Sequence, residues 1–196
     1  MDQVRPKAVQ DGYTAAPFFY RQQNDAGHRR TIAWTDSVSA QRTTLMGLLE
    51  LLPERLEVLL KVKREAEERE NGEVDDAWRR YYGRVDRAGL LDAIEQCASF
   101  VFCDSRNQLC VRDPGTLDYL VLDHVGVIYI YSDNHYFRQV LVRNGFEERI
   151  EPLINEKGYW SQEPKEGASA GAEFRRLLHL ESVPGPQDSQ SSPEAQ

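Results

Sequence analysis

Residues 100–145 read FVFCDSRNQLCVRDPGTLDYLVLDHVGVIYIYSDNHYFRQVLVRNG, short apolar runs punctuated by turn residues and closed by one capped segment. Phe100–Cys103 and Gln108–Arg112 predict two strands joined across Asp104-Ser105-Arg106-Asn107. Asp113-Pro114-Gly115 predicts a turn, because proline presets one dihedral and glycine supplies a positive φ. Leu117–Leu122 and Val127–Tyr131 then predict a hairpin around Asp123-His124-Val125-Gly126. The unbroken apolar run Val127–Tyr131 is the pattern of a central strand covered on both faces. After it, Ser132 or Asp133 is placed to cap a helix that buries Phe137, Val140 and Leu141 and stops at Asn144-Gly145.

Working outward, the chain from Ser39 to Glu70 carries helical spacing. Leu45, Leu48, Leu49 and Leu52 make one apolar face. Pro53 interrupts, and Leu56, Leu59, Leu60 and Lys63 continue the period into a second helix ending at Asn71-Gly72. Val74, Trp78, Tyr81 and Tyr82 suggest a third helix stopped by Gly83. A fourth, capped by Asp86, buries Leu90, Leu91 and Ile94 as far as Cys97. Beyond the central stretch, Phe146–Ile154 and the segment around Phe174–Leu180 supply further short elements.

The expected fold class is therefore α+β: N-terminal helices, a four-stranded antiparallel meander sheet and a C-terminal helix. Residues 1–38 form an N-terminal arm, partly ordered, because its polar composition still holds Tyr13, Phe18, Phe19, Tyr20 and Trp34. Residues 39–182 form the single α+β domain. Residues 183–196, low in complexity, form a disordered tail.

A formal net charge of −8 opposes non-specific attachment to nucleic acid or an anionic membrane and suits a basic protein partner. The N-terminus lacks the apolar core of a signal peptide, and no stretch approaches the roughly 20 apolar residues of a membrane span. A cytoplasmic location is the expectation. In that compartment Cys97, Cys103 and Cys110, without a CxxC pair, read as reduced packing thiols.

Candidate chemistry is sparse. Asp118, Asp123, His124, Asp133 and His135 gather carboxylates and imidazoles, the groups of acid–base or metal sites. Asp123-His124 and Asp133–His135 lie at opposite ends of a five-residue strand, about 15 Å apart, so one site cannot use both pairs. Asp123 and His124 are the catalytic candidates; turn and cap roles explain the carboxylates equally. No metal and no cofactor is implied. Trp78-Arg79-Arg80-Tyr81-Tyr82-Gly83-Arg84 interleaves rings and guanidinium groups as RNA-contacting surfaces do. On a helix, however, rings and arginines would fall on different faces.

Tyr159 and Trp160, in a Gly- and Pro-containing loop, together with Tyr136, Arg80 and Arg84, are the candidate binding residues. Neither GxSxG, GxGxxG nor a P-loop occurs. The sequence favours a non-catalytic protein-binding module, of the kind an inhibitor or immunity protein uses to neutralise a basic partner. The alternatives are a hydrolase or nuclease-like enzyme built on Asp123 and His124, and an RNA-contacting module built on Arg79, Arg80 and Arg84.

Overall fold

The structure, a computed structural model, describes residues 8–10, 16–23, 29–63, 78–116, 118–150, 159–161 and 167–184. Its architecture turns on Arg55–Lys63, which is the strand β4 and not a helix. Leu56, Val58, Leu60 and Val62 recur at every second residue, so an extended backbone puts all four on one side. The stretch also offers Leu56, Leu59 and Leu60 at helical spacing, which is what misleads a local reading. A helix would leave Val58 and Val62 off the apolar stripe and restrict their branched side chains. The strand buries Leu56, Val58 and Leu60 and satisfies both backbone edges at once.

Those edges pair antiparallel with β5 (Trp78–Asp86) and β6 (Asn107–Arg112). Beyond β6 come β7 (Tyr119–Leu122) and β8 (Ile128–Tyr131), then β3 (Arg29–Trp34), β2 (Phe18–Gln23) and β9 (Glu147–Glu148). β11 (Glu181–Val183) borders β5 on the far side. The sheet has nine strands and is mixed, because β2 and β9 run parallel while every other pair is antiparallel. A separate two-stranded sheet joins β1 (Ala8–Gln10) to β10 (Tyr159–Ser161).

The fold is α+β, but the expected N-terminal helices and four-stranded antiparallel meander are overturned. Of the helices expected before residue 86, only α1 (Val38–Leu49) forms among the described residues. The described parts of the segments read as helices two and three are β4 and β5, and the expected stop at Asn71-Gly72 lies outside the described residues. Phe100–Cys103, expected as a strand, belongs to the short helix α3 (Ala98–Cys103). Its Phe100, Val101 and Phe102 are all buried, and so brief an apolar run carries no period to distinguish helix from strand. The central meander is β6-β7-β8, with β4 supplying the fourth antiparallel neighbour from upstream. Within residues 1–38, β2 and β3 are integral strands of the sheet.

The remaining helices are α2 (Arg87–Gln96), α4 (His135–Arg143) and α5 (Gly167–Leu177). Asp86 caps α2 by accepting from Gly89 N–H at 2.6 Å. Asn134, and neither Ser132 nor Asp133 as expected, caps α4 by accepting from Tyr136 N–H at 3.0 Å. Gly145 ends α4 at φ +82°, a left-handed value that only glycine adopts at little cost. Among the described residues the other positive glycine φ, +81°, falls at Gly126 in the β7–β8 turn and not at Gly115. No described helix is long and apolar enough to cross a membrane.

All five helices pack on one face of the large sheet. Leu48 and Leu49 of α1, Leu90 and Ile94 of α2, Phe102 of α3, Leu141 of α4 and Phe174 of α5 share a core with Leu60, Leu109, Leu120 and Ile130 of the strands. Asn107 sits at the rim of this core, fully buried. Its Nδ2 donates to Phe100 O at 2.6 Å and Asp104 O at 2.8 Å, near the C-terminal end of α3 where helix carbonyls lack donors. Asn107→Ala should therefore lower unfolding free energy by about 2 kcal/mol or more, since buried unsatisfied carbonyls cost about 1–3 kcal/mol each. Urea denaturation of the two proteins checks this, with a lower midpoint and an unchanged slope expected.

Candidate recognition face

Because β-strand side chains alternate, the residues between the core positions emerge together on the opposite face. Strand register arranges them in rows across the sheet. One row runs Arg84, Glu57, Arg112, Tyr119, Tyr131. The next runs Glu181, Tyr82, Leu59, Cys110, Val121, Tyr129, Ile32, Tyr20. A third runs Val183, Arg80, Lys61, Gln108. An apolar and aromatic row thus lies between two rows that carry cations.

At the β2–β3 end, the face is filled by its own small cluster, Phe18, Tyr20, Ile32, Trp34 and Val127. Arg149 lies over the Phe18 ring at 4.9 Å. Toward the other end the face forms a groove of about 460 Å³, lined by Glu57, Leu59, Tyr82, Cys110, Arg112 and Tyr119. Leu59 and Cys110, a cross-strand pair, make its floor, and Tyr82 and Tyr119 stand on either side. Tyr119 is stacked on Tyr131 with centroids 4.0 Å apart and planes 10° from parallel. That stack gives the groove a rigid wall, because neither ring can turn without losing the other. Burial and the neighbouring Tyr131 push the Tyr119 phenol up to about 12, so it remains a neutral hydrogen-bonding group near neutral pH.

One end of the groove is organised by Glu57, only 8% exposed. Arg112 donates to Glu57 Oε2 at 2.5 Å and Arg84 to Oε1 at 3.3 Å. The hydroxyl of Tyr82 hydrogen-bonds to the same carboxylate and is the largest cause of its lowered pKa, ahead of Arg112 and Arg84; burial opposes them. Beyond the other end, past the Lys61–Arg80 row, the rings of Trp78 and His124 meet edge to face at 5.8 Å. Trp78 belongs to β5 and His124 to the β7–β8 turn, three strand spacings away, about 14 Å in a flat sheet. The two side chains therefore lean toward one another over the ends of β4 and β6.

The candidate residues read from sequence distribute unevenly over this geometry. Arg80 and Arg84 are on the open face, two residues apart on β5. Arg79 and Tyr81 point to the helix side, where Arg175 lies over the Tyr81 ring at 4.3 Å. The strand period of two thus puts Trp78, Arg80, Tyr82 and Arg84 together, whereas a helical period separates rings from arginines. Tyr136 is 52% exposed on α4, part of the helix layer, and does not belong to the open face. Tyr159 and Trp160 pair through the backbone with Gln10 and Val9 of β1; their side chains lie outside the described residues.

Asp123 and His124 have turn-building partners. The Asp123 carboxylate accepts from Val125 N–H at 2.9 Å and Val127 N–H at 2.8 Å, and Tyr129 hydrogen-bonds to it as well. Its own N–H donates to Val127 O at 3.0 Å. That is how an aspartate replaces backbone pairing in a tight turn. Among the described residues no group of three or more His, Cys, Asp and Glu side chains is arranged to hold a metal ion, and Cys97, Cys103 and Cys110 form no disulfide.

Glu57, Leu59, Lys61, Cys110, Arg112 and Tyr119 escaped the sequence reading. The available signal was RLEVLLKVK itself, where Glu57 and Lys61 fall two residues either side of Leu59 within an otherwise apolar run. The chain matches no known family model, no curated protein and no solved structure.

Two outcomes follow from these contacts. The lowered pKa of Glu57 means that the folded state favours its ionised form, so its contribution is complete above the ordinary value of 4.5 and is lost as pH falls through the lower folded value. Thermal melts from pH 7 down to pH 3 should show wild type losing more stability below pH 4.5 than Glu57→Gln does. Asp123→Ala should cost about 1–3 kcal/mol by leaving turn N–H groups unpaired, measurable by chemical denaturation.

Proposed function

We propose that the protein is a non-catalytic binding module and that the open sheet face is where it meets a protein partner. The observation that carries this reading is the composition of that face. Tyr82, Tyr119 and Arg112 line an apolar groove of about 460 Å³, and Trp78, Arg80 and Arg84 share its face, the combination that dominates binding energy at protein interfaces. Tyr and Arg offer large contact area with hydrogen bonds at the rim, and the stacked Tyr119–Tyr131 pair is already ordered before binding. An inhibitor that masks its target works through contacts of this kind and needs no reacting group.

The net charge of −8 favours a basic partner at long range. At short range the open face has the opposite sign, with Arg30, Arg55, Lys61, Lys63, Arg80, Arg84 and Arg112 against Glu57, Asp86, Asp123 and Glu181. A basic partner would have to dock elsewhere on the molecule.

The test is comparative capture from native lysate with wild type, Leu59→Glu and Val142→Glu. Leu59 is the groove floor, whereas Val142 is exposed on α4. Loss of one stoichiometric protein with Leu59→Glu and its retention with Val142→Glu is the expected result. Equal recovery by all three variants would remove the open face from consideration.

A further inference from the structure

Lys61 and Arg80 stand directly opposite one another in the β4–β5 ladder, on the open face. Like charges in directly opposed positions destabilise a strand pair. Neither side chain makes an ion pair with a described carboxylate. The row on the far side of Leu59 handles the same problem differently: there Glu57 lies between Arg84 and Arg112 and holds both. The third row has Val183, Arg80, Lys61 and Gln108, none of them a carboxylate, and the next position along it, Asp123, is engaged by the N–H groups of its own turn. Local strain left uncompensated in a fold is a mark of a functional position.

We infer that Lys61 and Arg80 hold a carboxylate of the partner, so that the module's ligand is an acidic protein segment bearing apolar side chains. This rests on the reading of the open face as the protein-binding surface. In register, the Lys61–Arg80 pair lies two residues along β4 and β5 from the Leu59–Tyr82 pair. Two residues of an extended chain span about 6.6 Å, the distance between alternate side chains on one face of a bound strand. A segment lying over β4 can therefore set an apolar side chain against Leu59 and Cys110 while a carboxylate two residues on reaches Lys61 and Arg80. Gln108, facing Lys61 from β6, offers the amide that completes the acceptor's surroundings. Trp78 and His124 close that end against a continuing bulky group.

A single-stranded nucleic acid would meet the same cations, but the arrangement favours a peptide. Tyr119 and Tyr131 spend their ring faces on each other, and the carboxylate of Glu57 sits in the path of a phosphate backbone.

The experiment uses the full chain and fluorescence anisotropy with labelled probes: a peptide alternating glutamate and phenylalanine, its lysine–phenylalanine counterpart, and an oligouridylate. Wild type should bind the Glu/Phe peptide at least tenfold more tightly than the Lys/Phe one, with affinity falling as salt rises. Arg80→Glu turns the like-charged pair into an opposite one; it should raise the melting temperature while weakening the Glu/Phe peptide at least tenfold. Arg80→Gln should lie between, which guards against misfolding of the charge reversal. A lower melting temperature for Arg80→Glu, or unchanged Glu/Phe affinity, overturns the inference. Tighter binding of oligouridylate would overturn it too, and reassign the face to nucleic acid. If the partner captured from lysate is lost with Leu59→Glu yet kept with Arg80→Glu, the acidic-segment inference fails while the face reading stands.

Discussion

Nine residues, Arg55–Lys63, hold two neighbours in register for nearly their full length, and both faces of the molecule follow from that pairing. One set of alternate side chains, Leu56, Val58 and Leu60, meets the helices. The other set, Glu57, Leu59 and Lys61, defines the middle of all three rows on the open face. A slip of one residue would exchange the sets, placing a carboxylate and an ammonium group in the core. The cost of burying those charges unpaired far exceeds any single contact on the face, so the core enforces the face's geometry. Recognition chemistry is thereby positioned by hydrophobic packing on the other side of the same strand.

Glu57 shows how that enforced geometry is made tolerable. A carboxylate in the middle of a nine-stranded sheet is costly unless its oxygens are bonded, and here Tyr82, Arg112 and Arg84 reach it from both neighbouring strands. The arginines are largely exposed, so their pairing with Glu57 adds little stability through charge alone. Its stronger effect is orientation: two long, flexible side chains are held beside the groove mouth. Lys61 and Arg80 have no such partner among the described residues, and this asymmetry between the two rows that flank the Leu59 row gives the face its polarity, neutralised on one side and cationic on the other.

The distribution of charge separates long-range from short-range behaviour. Much of the acidic surplus lies in stretches such as 65–76, with Glu65, Glu67, Glu68, Glu70, Glu73, Asp75 and Asp76 in sequence between β4 and β5. The open face carries cations. A global sum of charges, which governs solubility and encounter, therefore gives the wrong sign for the surface where contact would occur. Arg30 makes the same point at the β3 end, where it donates to the Tyr131 hydroxyl at 3.4 Å and lies over the Tyr129 ring at 5.4 Å. That cation, which also donates to Gln22 Oε1 at 2.6 and 2.8 Å, is held without a carboxylate.

How much could be read without coordinates depended on whether a segment's own chemistry settled its conformation. The Asp86-capped helix, the helix ended by Asn144-Gly145, the Asp123 turn and the strands β6, β7 and β8 were legible because caps, turns and alternating side chains act within a few residues. Arg80 and Arg84 were legible as a chemical type, but their company was not, because the assumed helical period sends rings and guanidinium groups to different sides. β4, β5, β2 and α3 were not legible. Each has an apolar pattern compatible with either conformation, and long-range pairing decides among them: β4 gains two full ladders as a strand, while α3 gains the Asn107 cap and the ring of Phe174 against Phe100 as a helix. The sequence by itself determined an α+β chain of limited apolar content with a net negative charge. Tertiary structure alone decided that Glu57, Leu59, Lys61, Arg80, Cys110 and Tyr119, up to sixty-two residues apart in the chain, share one face, since only strand register carries that information.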